Sequence, residues 1–198
     1  MQFISINEAI KTGSGKVAIR GWVYRERGSN VIKFIVLRDS SNVIQCVLEK
    51  NKFSDEEWKK IDKTSIESSL EIEGNIVKDE RAPSGYEIKV DKVNIIQIAE
   101  KFPITKDASP EFLLDVRHLA LRSRNLSAVM KIRSTVMNAF REFYYKQGYY
   151  EMAPPIITPN ACEGKMTLFE VKYYKNKTYL TQSWQLYAEA AIFALEKL

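Results

Sequence analysis

The sequence predicts two parts in series: a small closed β-barrel over residues 1–102 and a helix–hairpin–helix segment of α+β type over 126–198. Residues 103–125 connect them. Three observations point there. The first hundred residues carry five or six short runs alternating apolar and polar, the period of half-buried strands. Pro103 and Pro110 interrupt a polar stretch between Lys101 and Asp115. Beyond it, apolar residues recur at three and four, then alternate, then run almost unbroken.

In the first part, Ser5-Ile6-Asn7-Glu8 reads as a capping box opening a short helix that ends at Gly13-Ser14-Gly15. Strands follow over 16–24, 32–39 and 43–48. Ser54-Asp55-Glu56-Glu57 is a second capping box, for a helix reaching about Ile61. A strand over 70–77, a turn at Ala82-Pro83-Ser84-Gly85, and strands over 86–90 and 93–98 complete the set. Short strands in this number, with one inserted helix, fit an OB-type barrel best; a sandwich or SH3-like barrel remains open on pattern alone.

In the second part, Val129, Ile132, Val136, Phe140, Phe143 and Tyr144 form one stripe of a helix over 126–147, stopped by Gly148. Pro154 and Pro155 forbid helix after it. Phe169, Val171 and Tyr173 alternate as a strand, Lys175-Asn176-Lys177 supplies a turn, and Thr178-Tyr179-Leu180 starts the return strand. Ser183 is the expected N-cap of a final helix over 186–195, apolar nearly all round and so expected inside a layered domain. Glu163, Gln182 and Gln185 stand out as polar side chains around that helix start, either lining a pocket or serving as caps and solvated groups.

Bulk properties narrow the function. Thirty basic against 25 acidic side chains leave a net +5, compatible with a polyanion partner. No run is long and apolar enough for a membrane span, and MQFISINEAIK lacks the features of a signal peptide. Cys46 and Cys162 lie in no CxxC, which suits reduced thiols and a cytoplasmic protein. The single histidine, His118, builds neither a zinc cluster nor a catalytic triad, so no metal site and no catalytic side chain is assigned.

Two stretches carry a resemblance. ACEG…TLF…YLTQS.QLY.EA.IFAL, from Ala161 to Leu195, closely resembles the asparaginyl branch of the class II aspartyl/asparaginyl-tRNA synthetases. GWVYRERGSNVIKFIVLRDSSNVIQCVL, from Gly21 to Leu48, resembles the anticodon-binding barrel of the same family, and FLLDVRHLALRS its entry into the catalytic domain. The resemblance implies an OB-fold anticodon-binding domain over 1–102 and the incomplete start of a class II α+β catalytic domain over 126–198. It implies anticodon contacts at Arg27, Phe34 and Gln45, with filling of the barrel interior as the alternative for Phe34. It implies an amino-acid pocket with Glu163, Gln182, Ser183, Gln185, Ala188 and Glu189, and motif 1 at the long helix with Pro155, the element through which the family forms homodimers. Lys165 and Trp184 depart from the family's usual smaller residues.

The resemblance also bears on substrate. The aspartyl branch places a lysine three residues after the second glutamine; here Ala188 stands there and Glu189 follows. A buried carboxylate needs a cation, and a neighbouring carboxylate repels it while accepting from an amide NH2. L-asparagine is therefore expected over aspartate. The remaining expected partners are tRNA(Asn) and ATP with Mg2+, the last two held mainly by motifs 2 and 3, which do not occur before Leu198. Activity of this chain by itself is accordingly not expected. A non-discriminating aspartyl enzyme and a free-standing RNA-binding module are the alternatives.

Overall fold

The computed structural model describes residues 2–160 and 168–198. It divides into two compact units, Met1–Lys106 and Asp107–Leu198. In the first, α1 (Ile6–Thr12) starts at the predicted capping box: Glu8 N–H donates to Ser5 Oγ, and Ser5 N–H to Glu8 Oε2 at 2.8 Å. Strands β1 (Gly15–Gly28), β2 (Ile32–Arg38), β3 (Val43–Glu49), β4 (Ser69–Lys78) and β5 (Tyr86–Gln97) follow, with α2 (Asp55–Asp62) between β3 and β4. They form a closed barrel in the order β1-β2-β3-β5-β4. All pairings are antiparallel except β3 with β5, which run parallel and shut the ring. That order, with a helix between the third and fourth strands, is the expected OB arrangement.

The interior is aliphatic. Ile19, Val23, Ile35, Leu37, Ile44, Leu48, Leu70, Ile72 and Ile88 are fully buried, and Trp58 and Ile61 of α2 join the same core. Two glycines let strands pass too closely for any side chain. A Cβ on Gly21 would sit 2.3 Å from Arg38 O, and one on Gly74 would sit 2.3 Å from Lys89 O. Gly74 also lies where the β4–β5 register shifts. Lys33 is buried, and its Nζ donates to Ile61 O and Asp62 O at 3.1 and 2.9 Å. A cation thus meets two carbonyls at the negative end of α2, one of which, Ile61 O, also accepts from Thr64 N–H and Oγ1.

Two expectations for this unit need correction. β1 continues past Tyr24 to Gly28, because a register shift between Val23 and Arg25 lets it bend rather than stop. The runs over 86–90 and 93–98 are one strand, β5: the polar Asp91-Lys92 between them faces outward and makes no turn. Val93 and Ile95 reach only the margin of the core.

In the second unit, α3 (Pro110–Asp115) and α4 (Arg117–Ala120) occupy the stretch expected to be irregular. Pro110 sits at the first helical position, where its missing N–H costs nothing, and Ser109 caps the helix. The long helix α5 (Arg124–Lys146) starts at the N-cap Ser123, earlier than expected. It ends in a Schellman motif: Tyr149 N–H donates to Tyr144 O, Gly148 N–H to Tyr145 O, and Gly148 has φ +80°. The short strand β6 (Ile157–Thr158) lies after Pro154 and Pro155. With β7 (Glu170–Tyr173) and β8 (Asn176–Leu180) it forms a sheet in the order β6-β8-β7. The hairpin turn is Tyr174-Lys175, with Tyr174 at φ +54°, so Asn176 and Lys177 belong to β8.

The final helix α6 (Gln185–Leu195) departs most. Trp184, not Ser183, is its N-cap residue and makes no side-chain cap bond; Ser183 Oγ is buried without a partner. No α6 residue is buried, and Phe193 is 94% exposed. The apolar stripe of α5 and the hairpin residues Phe169 and Tyr173 are exposed as well. Among the described residues, three short strands offer less surface than these two helices present.

One prediction concerns Asp39, which ties α1 to the β2–β3 turn. Its carboxylate accepts from Ile6 N–H at 2.8 Å, Ser41 N–H at 2.7 Å and Asn42 N–H at 2.9 Å. Partial burial works to raise its pKa, but the Ser41 hydroxyl and these three N–H groups together hold it below the ordinary value. In acid the unfolded chain takes up this proton first. The stabilisation is therefore complete above about pH 4 and is lost as pH falls through the lowered folded value. Asp39→Asn is expected to cost about 1 kcal/mol at neutral pH and to flatten that acid limb, as read by thermal unfolding across pH.

Candidate nucleic-acid interface and amino-acid site

The barrel ladder decides which side chains leave its surface. Along β2, Lys33, Ile35 and Leu37 are buried, while Ile32, Phe34 and Val36 face out and are half-buried. Phe34 is therefore not part of the barrel filling, and that alternative falls. Its cross-strand partners are Arg27 on β1 and Val47 on β3; the next row holds Arg25, Val36 and Gln45. Arg27, Phe34 and Gln45 thus lie on one outer face, in adjacent rows.

The Arg27 guanidinium sits 5.1 Å from the centroid of the Phe34 ring. Gln45 is 6% exposed, and its Nε2 donates to Glu87 Oε2 at 3.1 Å. One amide hydrogen of this nearly buried side chain is thereby committed to Glu87. β5 adds Glu87 opposite Gln45 and Lys89 opposite Val47. Sequence reasoning missed Arg25, Glu87 and Lys89. Arg25 and Arg27 share a face by spacing, but nothing in the chain before folding shows that β5 closes against β3. The face carries an aromatic ring, a primary amide and three cations, which suits stacking, edge recognition and phosphate contact with an unpaired nucleotide.

The second group of expected residues surrounds the start of α6. Gln185 is its first residue, Glu189 lies one turn on, and Gln185 Nε2 donates to Glu189 Oε1 at 3.1 Å. Ala188 is half-buried beside them. Before the helix, Thr181 N–H donates to Ile156 O at 2.9 Å, and Thr181 Oγ1 to Ser183 O at 2.6 Å. Tyr187 Oη donates to Thr158 Oγ1 at 3.1 Å, fixing the helix start against β6. Gln182 is exposed in the junction. Pro155 precedes β6 in an irregular stretch. Glu163 and Lys165 lie outside the described residues. Trp184 is 42% exposed and lines a separate groove of 780 Å3 with Phe140, Tyr144, Tyr149 and Tyr150, rimmed by the Arg141–Glu151 ion pair.

Cys46 is buried in the barrel, where desolvation and then the Glu87 charge push its thiol well above the ordinary range. Among the described residues no three His, Cys, Asp or Glu side chains are placed to hold a metal ion, so these residues do not fit a Mg2+ site. No helix of the described residues is long and apolar enough to cross a membrane.

Comparison with known proteins agrees with both parts. Residues 17–96 match a model of the OB-fold nucleic acid binding domain, and residues 109–198 a model of the class II tRNA synthetases of the D, K and N type. The chain is 51% identical over 183 residues to the asparagine–tRNA ligase of Thermococcus gammatolerans, covering 92% of this chain and 42% of that protein. It superposes on the asparaginyl-tRNA synthetase from Pyrococcus horikoshii complexed with asparaginyl-adenylate at a TM-score of 0.90 and 42% identity, over 98% of this chain and 46% of that one. The Entamoeba histolytica asparaginyl-tRNA synthetase gives 0.84 at 30%, over 98% and 45%. The chain thus spans less than half the length of the relatives it matches. With an OB barrel, a hairpin sheet and the helix start in the matching order, the chain resembles the class II tRNA synthetases over both of its parts, and the asparaginyl-tRNA synthetases among them.

Proposed function

We propose that the protein carrying this chain is an asparagine–tRNA ligase. The carboxylate of L-asparagine attacks the α-phosphate of ATP, giving asparaginyl-adenylate and pyrophosphate, and the asparaginyl group then passes to tRNA(Asn) with release of AMP. The observation that carries this reading is the start of α6, where Gln185 and Glu189 are hydrogen-bonded one turn apart and the residue before Glu189 is Ala188 and not a lysine. A substrate amide NH2 finds an acceptor there. A substrate carboxylate finds a like charge and no partner, which costs several kcal/mol when desolvated.

In this reading the chain's own groups position the reactants, and ATP, as a substrate, supplies the leaving group. Gln185 and Gln182 orient the amino acid. Ser183 holds the junction, and Glu163 meets the substrate ammonium. The outer barrel face takes the anticodon: a base stacks on Phe34 as Arg27 swings from the ring to a phosphate or base edge, and Gln45, aimed by Glu87, reads the base. The exposed stripe of α5 and the segment around Pro155 fit a homodimer interface.

The aspartyl alternative has one support, a putative aspartyl-tRNA synthetase from Leishmania major at a TM-score of 0.83 and 25% identity. Amino-acid-dependent pyrophosphate exchange by the complete enzyme separates the two. Exchange is expected with asparagine and not aspartate, and Ala188→Lys is expected to shift the asparagine-to-aspartate ratio by roughly tenfold or more. Equal exchange with both amino acids would contradict the reading. Phe34→Ala is expected to weaken tRNA binding by about 1–3 kcal/mol while leaving exchange intact; a filter-binding titration beside the exchange assay checks this.

A further inference from the structure

The outer face does not stop at Phe34. Two residues back along β2, Ile32 projects to the same side, opposite Glu49 of β3, as Phe34 stands opposite Val47. Ile32 and Glu49 form one wall of a groove of 720 Å3, completed by Val31, Lys50, Asn51 and Phe53. The groove therefore opens one side-chain step, about 7 Å, from the Phe34 ring, on the same surface.

Its chemistry differs from that of the Phe34 row. Val31, Ile32 and Phe53 are apolar, and Val31 is 66% exposed at the tip of the β1–β2 hairpin. The tip is held in place by Lys50 N–H donating to Val31 O at 2.9 Å. The one cation, Lys50, lies 3.5 Å from the carboxylate of Asp55. Glu49 is half-buried, and no hydrogen bond or ion pair engages its carboxylate among the described residues. A groove whose cation is already matched and whose spare group is an acceptor is poorly suited to a phosphate. It suits a flat, largely apolar group whose edge offers N–H donors.

We propose that this groove is a second base subsite: it takes the nucleotide next to the one stacked on Phe34, inserting its base between Val31, Ile32 and Phe53, with Glu49 accepting from the amino or imino N–H of the base. The inference rests on the reading of the outer face as the anticodon surface. It adds a specificity-determining residue, Glu49, and a nucleotide class, bases that present N–H donors on their exposed edge. Continuity with the Phe34 row is what distinguishes the groove from an unassigned surface hollow: it is the next outward row of β2 and β3 on that side.

The test uses the complete enzyme and a hairpin RNA carrying the anticodon loop, with an abasic nucleotide stepped through the loop one position at a time. Three proteins are compared: the unaltered enzyme, Phe34→Ala, and a Val31→Ser, Glu49→Gln double variant. Val31 is exposed and Glu49 half-buried, and neither belongs to the aliphatic core. With the unaltered enzyme, two neighbouring abasic positions are expected to weaken binding roughly five- to hundredfold each. Phe34→Ala should erase the penalty at one of them and the double variant the penalty at the other alone. If the double variant keeps the unaltered profile, or erases the Phe34 position instead, the second subsite is wrong while the face reading stands. If Phe34→Ala leaves the profile unchanged, the face reading fails, and the subsite with it.

Discussion

Everything in the first unit depends on the parallel pairing that closes β5 onto β3. Without it the sheet has two edges, and the outer surface divides into unrelated patches. With it, Glu87 comes opposite Gln45 and Lys89 opposite Val47, extending the rows that begin at Arg25 and Arg27. Alternation then does the rest. One residue in two goes to the aliphatic interior, and the other is delivered to a surface whose rows are set by backbone hydrogen bonds. A surface fixed that way holds its shape before any ligand arrives, which lowers the ordering cost of binding an unpaired strand.

The same logic explains what stabilises the barrel ends. Lys33 is a buried cation with no apolar role, yet it fits because its ammonium donates to the Ile61 and Asp62 carbonyls, where the helix end carries partial negative charge. Asp39 plays the converse part at α1, where it accepts from Ile6 N–H. Each places a charged side chain against a helix terminus and locks a helix to the strand ladder. The glycines at 21 and 74 complete the arrangement, since the carbonyls of Arg38 and Lys89 leave no room for a side chain.

Much of this was legible in the chain. Both capping boxes announced their helices, Gly148 its Schellman stop, and period-two runs the strands. What was not legible has physical reasons. Asp91-Lys92 looks like a turn because both residues are polar, but on an outward-facing stretch polarity carries no such meaning. Pro110 looks like a breaker because the sequence does not show that it is the first helical residue. The outward direction of Phe34 depends on which of two alternating sets the closed ladder buries, and both sets of β2 contain large apolar residues. Glu87 joined the site only through a pairing 42 positions apart in sequence. In the second unit the apolar all-round pattern of α6 announced a buried helix, yet among the described residues three short strands leave it open. Such a pattern reports what a helix requires and not which surface supplies it.

Photo-cross-linking addresses the central claim most directly. The complete enzyme is irradiated with a hairpin RNA bearing a thiouridine in its anticodon loop, and the adduct is located by peptide mapping. Adducts on the outward residues of β2 and β3, centred on Phe34 and Gln45, are the predicted result. Adducts confined to the second unit, or on barrel segments away from that face, would contradict the account.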